Sequence, residues 1–314
     1  MILTVTLNPS IDHTLFVQSL HVGDTNRVQR TETDAGGKGL NLSRVAHRLG
    51  APTLAMGLVG GATGASIAAR LDGDGVDHLL IPIAGETRVN FSVETEAGDA
   101  PPTTLNARGP TVGAEEWQAF LAAYRARVEH AQFVALAGSV PPGISVEVYR
   151  ELAEIGSSAG AAVLIDADGD LLRHGLKARP HLIKPNEYEA ARLLGRPAPE
   201  TDEDAVRAAV ELLTELHPDG CAVISRGKAG AVMACGDGVF LGRSPAVESR
   251  STVGSGDSML AGILSSRLRG EDWPTALQWG LASGAATATT SGADIAPTAV
   301  IELLFDDASV ERAG

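Results

Sequence analysis

The alternation of short apolar runs with segments of helical periodicity is the feature that most constrains this fold. Runs of strand length occupy residues 2–7, 133–137, 161–165, 181–183 and 221–225. Between them, apolar residues recur every three or four positions, as in residues 42–49 and 117–128. Strands that alternate with helices predict an α/β fold with a mostly parallel sheet, flanked by helices on both faces. A chain of 314 residues suits one large domain of this kind or two smaller ones.

Two regions interrupt the alternation, at approximately residues 12–34 and 87–108. Both contain short β-like stretches in which polar and apolar residues alternate. Such stretches predict a small second sheet beside the core, and a sheet in that place would form a lid. A pair of plain surface hairpins is the alternative.

The chain is strongly acidic, with a net charge of −14. This charge repels nucleic acid and anionic membranes, so we expect neither as a partner. It also repels phosphorylated ligands at long range. If the protein binds ATP or a sugar phosphate, its site must therefore concentrate positive charge locally.

The cysteines, the N-terminal residues and the apolar runs indicate in which cellular compartment the protein is expected. Cys221 and Cys235 have no spacing typical of a metal site, and two cysteines do not suggest a disulfide framework. The N-terminal residues resemble a strand rather than a signal peptide. No apolar run approaches the roughly 20 residues of a membrane span. We therefore expect a cytoplasmic protein in a reducing environment.

The strongest chemical motif is STVGSGDSM at residues 251–259. Its glycine-rich turn leads directly into an apolar helix, so backbone N–H groups and the positive end of the helix dipole would form an anion cradle. A carboxylate at Asp257 would be repelled by a bound phosphate unless it accepts a proton from a substrate hydroxyl. The alternative is that Asp257 only caps the helix.

A second glycine-rich motif, DAGGKGLN at residues 34–41, also precedes a helical pattern. Lys38 supplies a point charge beside the turn, and Asn41 is placed to hydrogen-bond a sugar hydroxyl. The GxxxxGK[ST] spacing of a Walker A motif is absent. A plain turn is the alternative.

The third motif, KPNEYE at residues 184–189, directly follows a strand. Asn186 and Glu189 have a spacing that could hold a hydrated Mg²⁺, which prefers oxygen ligands and retains waters. The same spacing fits a capping box. Asp166 ends another buried strand, at the edge where ligands of open α/β sheets bind.

Basic residues in the predicted lid could bind an anionic substrate. Arg88 and Asn90 lie in the second lid segment, and Arg27 lies in the first. A solvated surface arginine is the alternative for both arginines. Together with Lys38 and Lys184, they could supply the local positive charge that the acidic chain requires.

Taken together, these segments resemble the PfkB family of ribokinase-like carbohydrate kinases. The resemblance is greatest to the branch that contains 1-phosphofructokinases and tagatose-6-phosphate kinases. It covers nearly the whole chain through motifs at residues 6–12, 36–41, 60–64, 87–90, 138–143, 184–189 and 251–258. It implies one kinase domain over residues 1–314 with a Rossmann-like core and a β-sheet lid. It also implies ATP and Mg²⁺ as cofactors and homodimers that pair through the lid.

The resemblance also implies a role for each matching residue. Asp257 is the base, and Gly254, Ser255 and Gly256 form the anion hole. The sugar phosphate is bound by Asp12, Arg27, Gly37, Lys38, Asn41, Arg88, Asn90 and Ser139. ATP is bound by Lys184, Asn186, Ser225, Gly227, Gly230, Thr252, Gly254 and Gly256. Mg²⁺ is held through water by Asn186, Glu189 and Asp166.

Four positions depart from the family pattern. Ser255 replaces the alanine of Gly-Ala-Gly-Asp but retains its backbone N–H, and Arg226 places a charge near the nucleotide entrance. Asp168 adds a carboxylate where a hydroxyl is usual. Ser92 stands where the branch often has a lysine, which leaves the position of the substrate's phosphate open.

We expect ATP-dependent phosphorylation of a ketohexose phosphate, with fructose 1-phosphate as the acceptor. Fructose 6-phosphate and tagatose 6-phosphate are the alternative acceptors. A noncatalytic sugar-phosphate sensor would lack the base or the anion-hole glycines, and this chain has both. A dinucleotide-dependent oxidoreductase would require GxGxxG after the first strand, which is absent.

Overall fold

The computed structural model describes residues 1–95, 102–292 and 294–313. The strands in this part of the chain are β1 (Ile2–Thr6), β2 (Ser10–Val17), β3 (Val28–Gly36), β4 (Thr53–Val59), β5 (His78–Pro82), β6 (Arg88–Thr95), β7 (Thr103–Leu105), β8 (Phe133–Ala137), β9 (Ala162–Asp166), β10 (Leu182–Ile183), β11 (Cys221–Ser225), β12 (Ala231–Cys235), β13 (Gly238–Arg243) and β14 (Ser309–Arg312).

The helices are α1 (Lys38–Arg48), α2 (Gly61–Asp74), α3 (Ala114–Val128), α4 (Val148–Ser158), α5 (Gly169–Gly175), α6 (Glu187–Leu194), α7 (Asp202–Leu213), α8 (Ser255–Leu268), α9 (Trp273–Ala288) and α10 (Thr298–Phe305). Within the described ranges, none of them combines the length and the apolar character that crossing a bilayer requires.

Ten strands form the central sheet, in the order β14-β13-β12-β11-β10-β9-β8-β1-β4-β5. Every neighbouring pair from β11 to β5 is parallel, which confirms the predicted mostly parallel sheet. The remaining edge, β11 to β14, is antiparallel. Only a short turn joins β11 to β12, and antiparallel strands are the ones that a short turn can connect.

Both faces of the central sheet are buried, as the apolar strands predicted. In β9, Val163 and Ile165 point to one face, where α3, α4, α5 and α7 pack. Leu164 points to the opposite face, which α1, α8, α9 and α10 cover. This packing fixes the positions of α1 and α8, and both helices begin at the glycine-rich motifs.

The two predicted lid segments pair into one separate sheet, with the strand order β3-β2-β6-β7. Strand β2 runs parallel to β6, and their register places Ser10 opposite Arg88 and Asp12 opposite Asn90. Residues 96–101 of the second predicted segment lie outside the described residues. The small sheet is therefore confirmed, and its register brings predicted substrate residues from two distant parts of the chain together.

Candidate active site

A cleft of about 2060 Å³ opens at the carboxyl ends of the parallel strands, with the small sheet along one side. Thr6, Asp166, Lys184 and Ser225 reach it from the ends of β1, β9, β10 and β11. Side chains at the carboxyl ends of parallel strands share one edge of the sheet, so residues far apart in sequence meet there.

Asp257 lies in the first turn of α8, and Gly254 occupies the capping position with φ +75°. Glycine adopts this left-handed conformation without the steric cost of a side chain. No side chain of the described residues caps this helix. Ser255 N donates to the carbonyl of Thr252 at 3.4 Å, and the backbone N–H groups of Gly256 and Asp257 have no partner among the described residues, so these two are available to an anion. The alternative interpretation, in which Asp257 caps the helix, is therefore wrong, and the anion cradle stays a prediction.

The carboxylate of Asp257 is buried, and Oδ2 accepts a hydrogen bond of 2.9 Å from Asn41 Nδ2. Burial raises the pKa of Asp257 to about 6, although the positive charge of Lys38 opposes this rise. A carboxyl group with a pKa near 6 is ionised at neutral pH and accepts a proton more readily than an ordinary aspartate. These properties suit a general base.

Two lysines lie beside this carboxylate. Lys38 Nζ is 3.1 Å from Asp166 Oδ1, and the charge of Asp166 raises the pKa of Lys38. Lys184 is buried, and a side chain at Gly256 would place its Cβ only 3.0 Å from Lys184 Nζ. The lysines therefore concentrate positive charge at the N-terminus of α8, in a chain that is acidic overall.

Asp166 is almost fully buried between these lysines. Burial alone would raise its pKa, but the charges of Lys38 and Lys184 hold the pKa below its usual value. Its Oδ2 atom is buried without a hydrogen-bond partner in the described part of the chain. A buried carboxylate oxygen without a partner is costly, so this atom is available to a ligand.

The small sheet supplies further polar groups to the cleft. Asp12 Oδ1 accepts hydrogen bonds from Asn90 Nδ2 at 2.9 Å and from Ser10 Oγ at 2.7 Å. Arg88 donates from NH1 to the carbonyl of Ala107 at 2.8 Å, and its Nε is buried. A solvated surface arginine is therefore the wrong description of Arg88.

Asn186 and Glu189 form a reciprocal capping box at the start of α6. Asn186 Oδ1 accepts from Glu189 N at 2.9 Å, and Glu189 Oε2 accepts from Asn186 N at 2.8 Å. Both residues also line the cleft. The capping interpretation therefore describes this structure, and a metal role would come in addition to it.

A model of the pfkB family of carbohydrate kinases matches residues 5–299. The chain belongs to this family. It is 31% identical to the 1-phosphofructokinase of Bacillus subtilis (strain 168), over 99% of this chain and 100% of that protein. Family membership makes the protein an ATP-dependent carbohydrate kinase.

Solved structures agree with this assignment. A crystal structure provisionally named a phosphofructokinase, from Staphylococcus aureus, is 30% identical, with a TM-score of 0.83 over 100% of this chain and 99% of that one. The structure of Escherichia coli phosphofructokinase-2 with substrates and products shares the fold, with 24% identity and a TM-score of 0.89. It covers 97% of this chain and 98% of that one.

Two residues that the PfkB resemblance assigned to the site do not line the cleft. Arg27 is exposed in the connection between β2 and β3, because the hairpin carries it away from the core. Gly230 is buried at the start of β12 with φ +98°, so it forms the turn rather than a ligand contact. The other residues assigned to the site all line the cleft.

At two departures from the PfkB pattern, the added charge is paired with a neighbouring residue of opposite charge. Arg226 lines the cleft, donates from Nε to Glu187 at 3.0 Å and also pairs with Asp202, so its charge is balanced. Asp168 caps α5 and binds Arg192 at 2.7 Å, outside the cleft. Ser255 Oγ and Ser92 Oγ are buried without a hydrogen-bond partner among the described residues.

Sequence reasoning missed several residues that line the cleft. Asn8 lies in the N-terminal PfkB motif, so a signal was available for it. Arg108 lies in an irregular connection and Lys228 lies in a short 3₁₀ helix (Gly227–Ala229), where no periodicity marks them. Val247, Leu281 and Ala285 form an apolar part of the wall. Leu281 and Ala285 belong to α9, whose sequence is indistinguishable from that of an ordinary buried helix.

Proposed function

We propose that this kinase transfers the γ-phosphoryl group of ATP to fructose 1-phosphate and forms fructose 1,6-bisphosphate and ADP. The observation that carries the proposal is the buried carboxylate of Asp257 beside the uncapped N-terminus of α8. A general base and an anion cradle at one point are what phosphoryl transfer to a hydroxyl requires.

In the proposed reaction, Asp257 accepts the proton of the 6-hydroxyl group as the oxygen attacks the γ-phosphorus. The new O–P bond forms as the bond from phosphorus to the bridging oxygen of ADP breaks. Asn41 holds the carboxylate by its 2.9 Å hydrogen bond and so orients the base. The pKa of Asp257 is raised, yet the carboxylate is still ionised at neutral pH, where it accepts a proton more readily than an ordinary aspartate.

The charge of the transferring group is balanced by the N-terminal amides of α8. Gly256 permits the close approach of Lys184, whose ammonium group lies directly beside this backbone. Lys38 adds a second ammonium group next to Asp166. Fixed donors of this kind stabilise charge that develops in the transition state, and they need little reorganisation.

The remaining contacts divide between the two substrates. Gly37, Asn41, Asp12, Asn90 and Ser139 are assigned to the sugar, and Arg88 to its existing phosphate. Ser225, Gly227 and Thr252 are assigned to the nucleotide phosphates. The apolar wall of Val247, Leu281 and Ala285 offers a surface on which a nucleobase can pack.

The donor set also fits Mg²⁺. No group of three or more His, Cys, Asp or Glu side chains that could hold a metal ion occurs in the described residues. Mg²⁺ does not need one, because it commonly binds one or two carboxylates, waters and substrate phosphates. The unpartnered Oδ2 of Asp166 and the carboxylate of Glu189 would hold its waters, with Asn186. When bound, the ion neutralises charge on the phosphates.

Glu189→Gln should raise the Mg²⁺ concentration that gives half-maximal rate. The carboxylate attracts the hydrated ion, whereas the neutral amide does not. The amide oxygen can still accept from Asn186 N, so the capping box and the thermal midpoint should be preserved. Steady-state rates over a Mg²⁺ series check this, and an unchanged Mg²⁺ dependence would remove Glu189 from the metal site.

The acceptor assignment rests on similarity to the Bacillus subtilis 1-phosphofructokinase and on the basic residues of the cleft. ADP release should be measured with fructose 1-phosphate, fructose 6-phosphate, tagatose 6-phosphate and fructose as acceptors. We expect the highest kcat/KM for fructose 1-phosphate. A higher value for either 6-phosphate would reassign the acceptor, and no ADP release with any acceptor would favour the sensor hypothesis.

We also infer that the protein forms a homodimer through the lid. The small sheet carries exposed apolar side chains at Phe91 and Leu105, which are cross-strand partners. Val22, in the connection between β2 and β3, is 98% exposed. Exposed apolar groups on this sheet and on the β2–β3 connection favour burial against a second copy.

A further inference from the structure

We propose that Arg108 binds the phosphate that the acceptor already carries, next to Arg88, and so determines specificity for phosphorylated sugars. The inference rests on the proposed function and deepens it. Arg108 has no role in the PfkB resemblance and lies between β7 and α3, in a segment without regular structure.

The backbone at Arg108 is held in place from three directions. Asn8 Nδ2 donates to the carbonyl of Arg108 and to Ser139 Oγ, both at 3.1 Å. The neighbouring Ala107 donates to Asn90 Oδ1 at 3.1 Å and accepts from Arg88 NH1 at 2.8 Å. Each of these partners lies at the sugar end of the cleft, so the fold fixes Arg108 there.

The side chain of Arg108, in contrast to its backbone, forms no hydrogen bond or ion pair with the described residues. It lines the cleft and is exposed. Two other cations of the cleft have partners: Lys38 pairs with Asp166, and Arg226 pairs with Glu187 and Asp202. Backbone hydrogen bonds therefore hold Arg108 in the cleft, whereas its positive side chain has no partner among the described residues.

The charge pattern identifies the ligand as an anion. Arg88 donates to the carbonyl of Ala107, the residue before Arg108, so the Arg88 guanidinium group lies against the backbone from which the Arg108 side chain begins. A phosphate bound near both guanidinium groups would attract each of them and offset their mutual repulsion. A phosphate offers oxygens in the geometry that an arginine fork can bind in a bidentate manner. The acceptor's existing phosphate is the anion that the proposed function supplies at this end.

Arg108 is also a cleaner test of phosphate recognition than Arg88. Removing Arg88 takes a donor from the carbonyl of Ala107 and leaves the 106–109 segment less constrained. Removing the Arg108 side chain breaks no hydrogen bond or ion pair among the described residues. Lys228 is a matched control, because it is another exposed cation that lines the cleft, at the nucleotide side beside Gly227.

The experiment measures kcat/KM for fructose 1-phosphate and for unphosphorylated fructose, and the KM for ATP, in wild type, Arg108→Ala and Lys228→Ala. Loss of a charge-assisted contact predicts a decrease of about tenfold to hundredfold for fructose 1-phosphate in Arg108→Ala. The value for fructose, the KM for ATP and the thermal midpoint should be nearly unchanged. Lys228→Ala should not alter the preference for the phosphorylated sugar.

Equal losses for both sugars in Arg108→Ala, or no loss for either, would overturn the inference while the proposed function stands. Arg108→Lys provides a second check, because it retains the charge but not the fork, and should give an intermediate kcat/KM. If the wild-type enzyme uses fructose but none of the phosphorylated ketohexoses, the proposed function and this inference both fail.

Discussion

Asp257→Asn should reduce turnover at least about 10²-fold and leave the KM for ATP nearly unchanged. The substitution removes the only carboxylate in the first turn of α8 but retains its size. The amide oxygen can still accept from Asn41 Nδ2, so the geometry of the site should persist. ATP contacts backbone amides and lysines in this proposal, and neither is changed.

The pH dependence separates a base from a structural carboxylate. Burial raises the pKa of Asp257 to about 6, so the wild-type rate should fall as the pH drops below about 6 and the base becomes protonated. Asp257→Asn should lose this dependence in its residual activity. Its thermal midpoint should stay equal or rise, because a buried charge is costly. Near wild-type turnover in the variant would show that Asp257 is not the base.

Lys38→Met should have the second large effect. Loss of one charge-assisted contact to the transferring group predicts a decrease in kcat of about tenfold to hundredfold. The ammonium group of Lys38 also lowers the pKa of Asp257, so its removal should raise that pKa further. The acid limb of the pH–rate profile should therefore move to higher pH, and the defect should grow as the pH falls.

The same substitution leaves Asp166, which is almost fully buried, without its ion-pair partner, so the thermal midpoint should also decrease. Lys177→Met is a control for the loss of one positive charge, because Lys177 is exposed and lies outside the cleft. An acid limb that stays in place in Lys38→Met would contradict the electrostatic coupling between Lys38 and Asp257.

The sequence predicted the architecture well because its elements carry strong local signals. Strands β8 and β11 begin and end at the predicted residues. Thr201 caps α7 and accepts from Asp204 N at 3.1 Å, and the spacing Thr-x-x-Asp is a local signal of such a cap. The antiparallel edge was less predictable, since hydrophobic periodicity does not report the direction in which β12, β13 and β14 run.

The site was predictable where motifs begin a helix or end a strand. Lys38, Asp166 and Asp257 lie at such positions, and the sheet topology brings them together. Arg108 could not be found in this way, because its placement depends on tertiary hydrogen bonds from Asn8 and Asn90. The prediction that Arg27 lines the site was wrong. Arg27 belongs to a predicted lid segment, but the β2–β3 hairpin carries it away from the cleft.

The structure brings the two cysteines together, which their distance in the sequence did not indicate. Cys221 and Cys235 are distant in sequence, but they are direct cross-strand partners in β11 and β12. Both thiols are free and buried, and burial raises the pKa of each. Their environment is consistent with a packing role in the core, away from the cleft.

Internal competition tests the central claim most directly. Wild-type enzyme should be given an equimolar mixture of fructose 1-phosphate and fructose 6-phosphate with limiting ATP and Mg²⁺, and ³¹P NMR should follow the two monophosphates. Because both compete for one site, their relative rates of loss report the ratio of kcat/KM values. We predict that fructose 1-phosphate disappears first as fructose 1,6-bisphosphate appears. Preferential loss of fructose 6-phosphate, or no loss of either sugar, would contradict the proposed function.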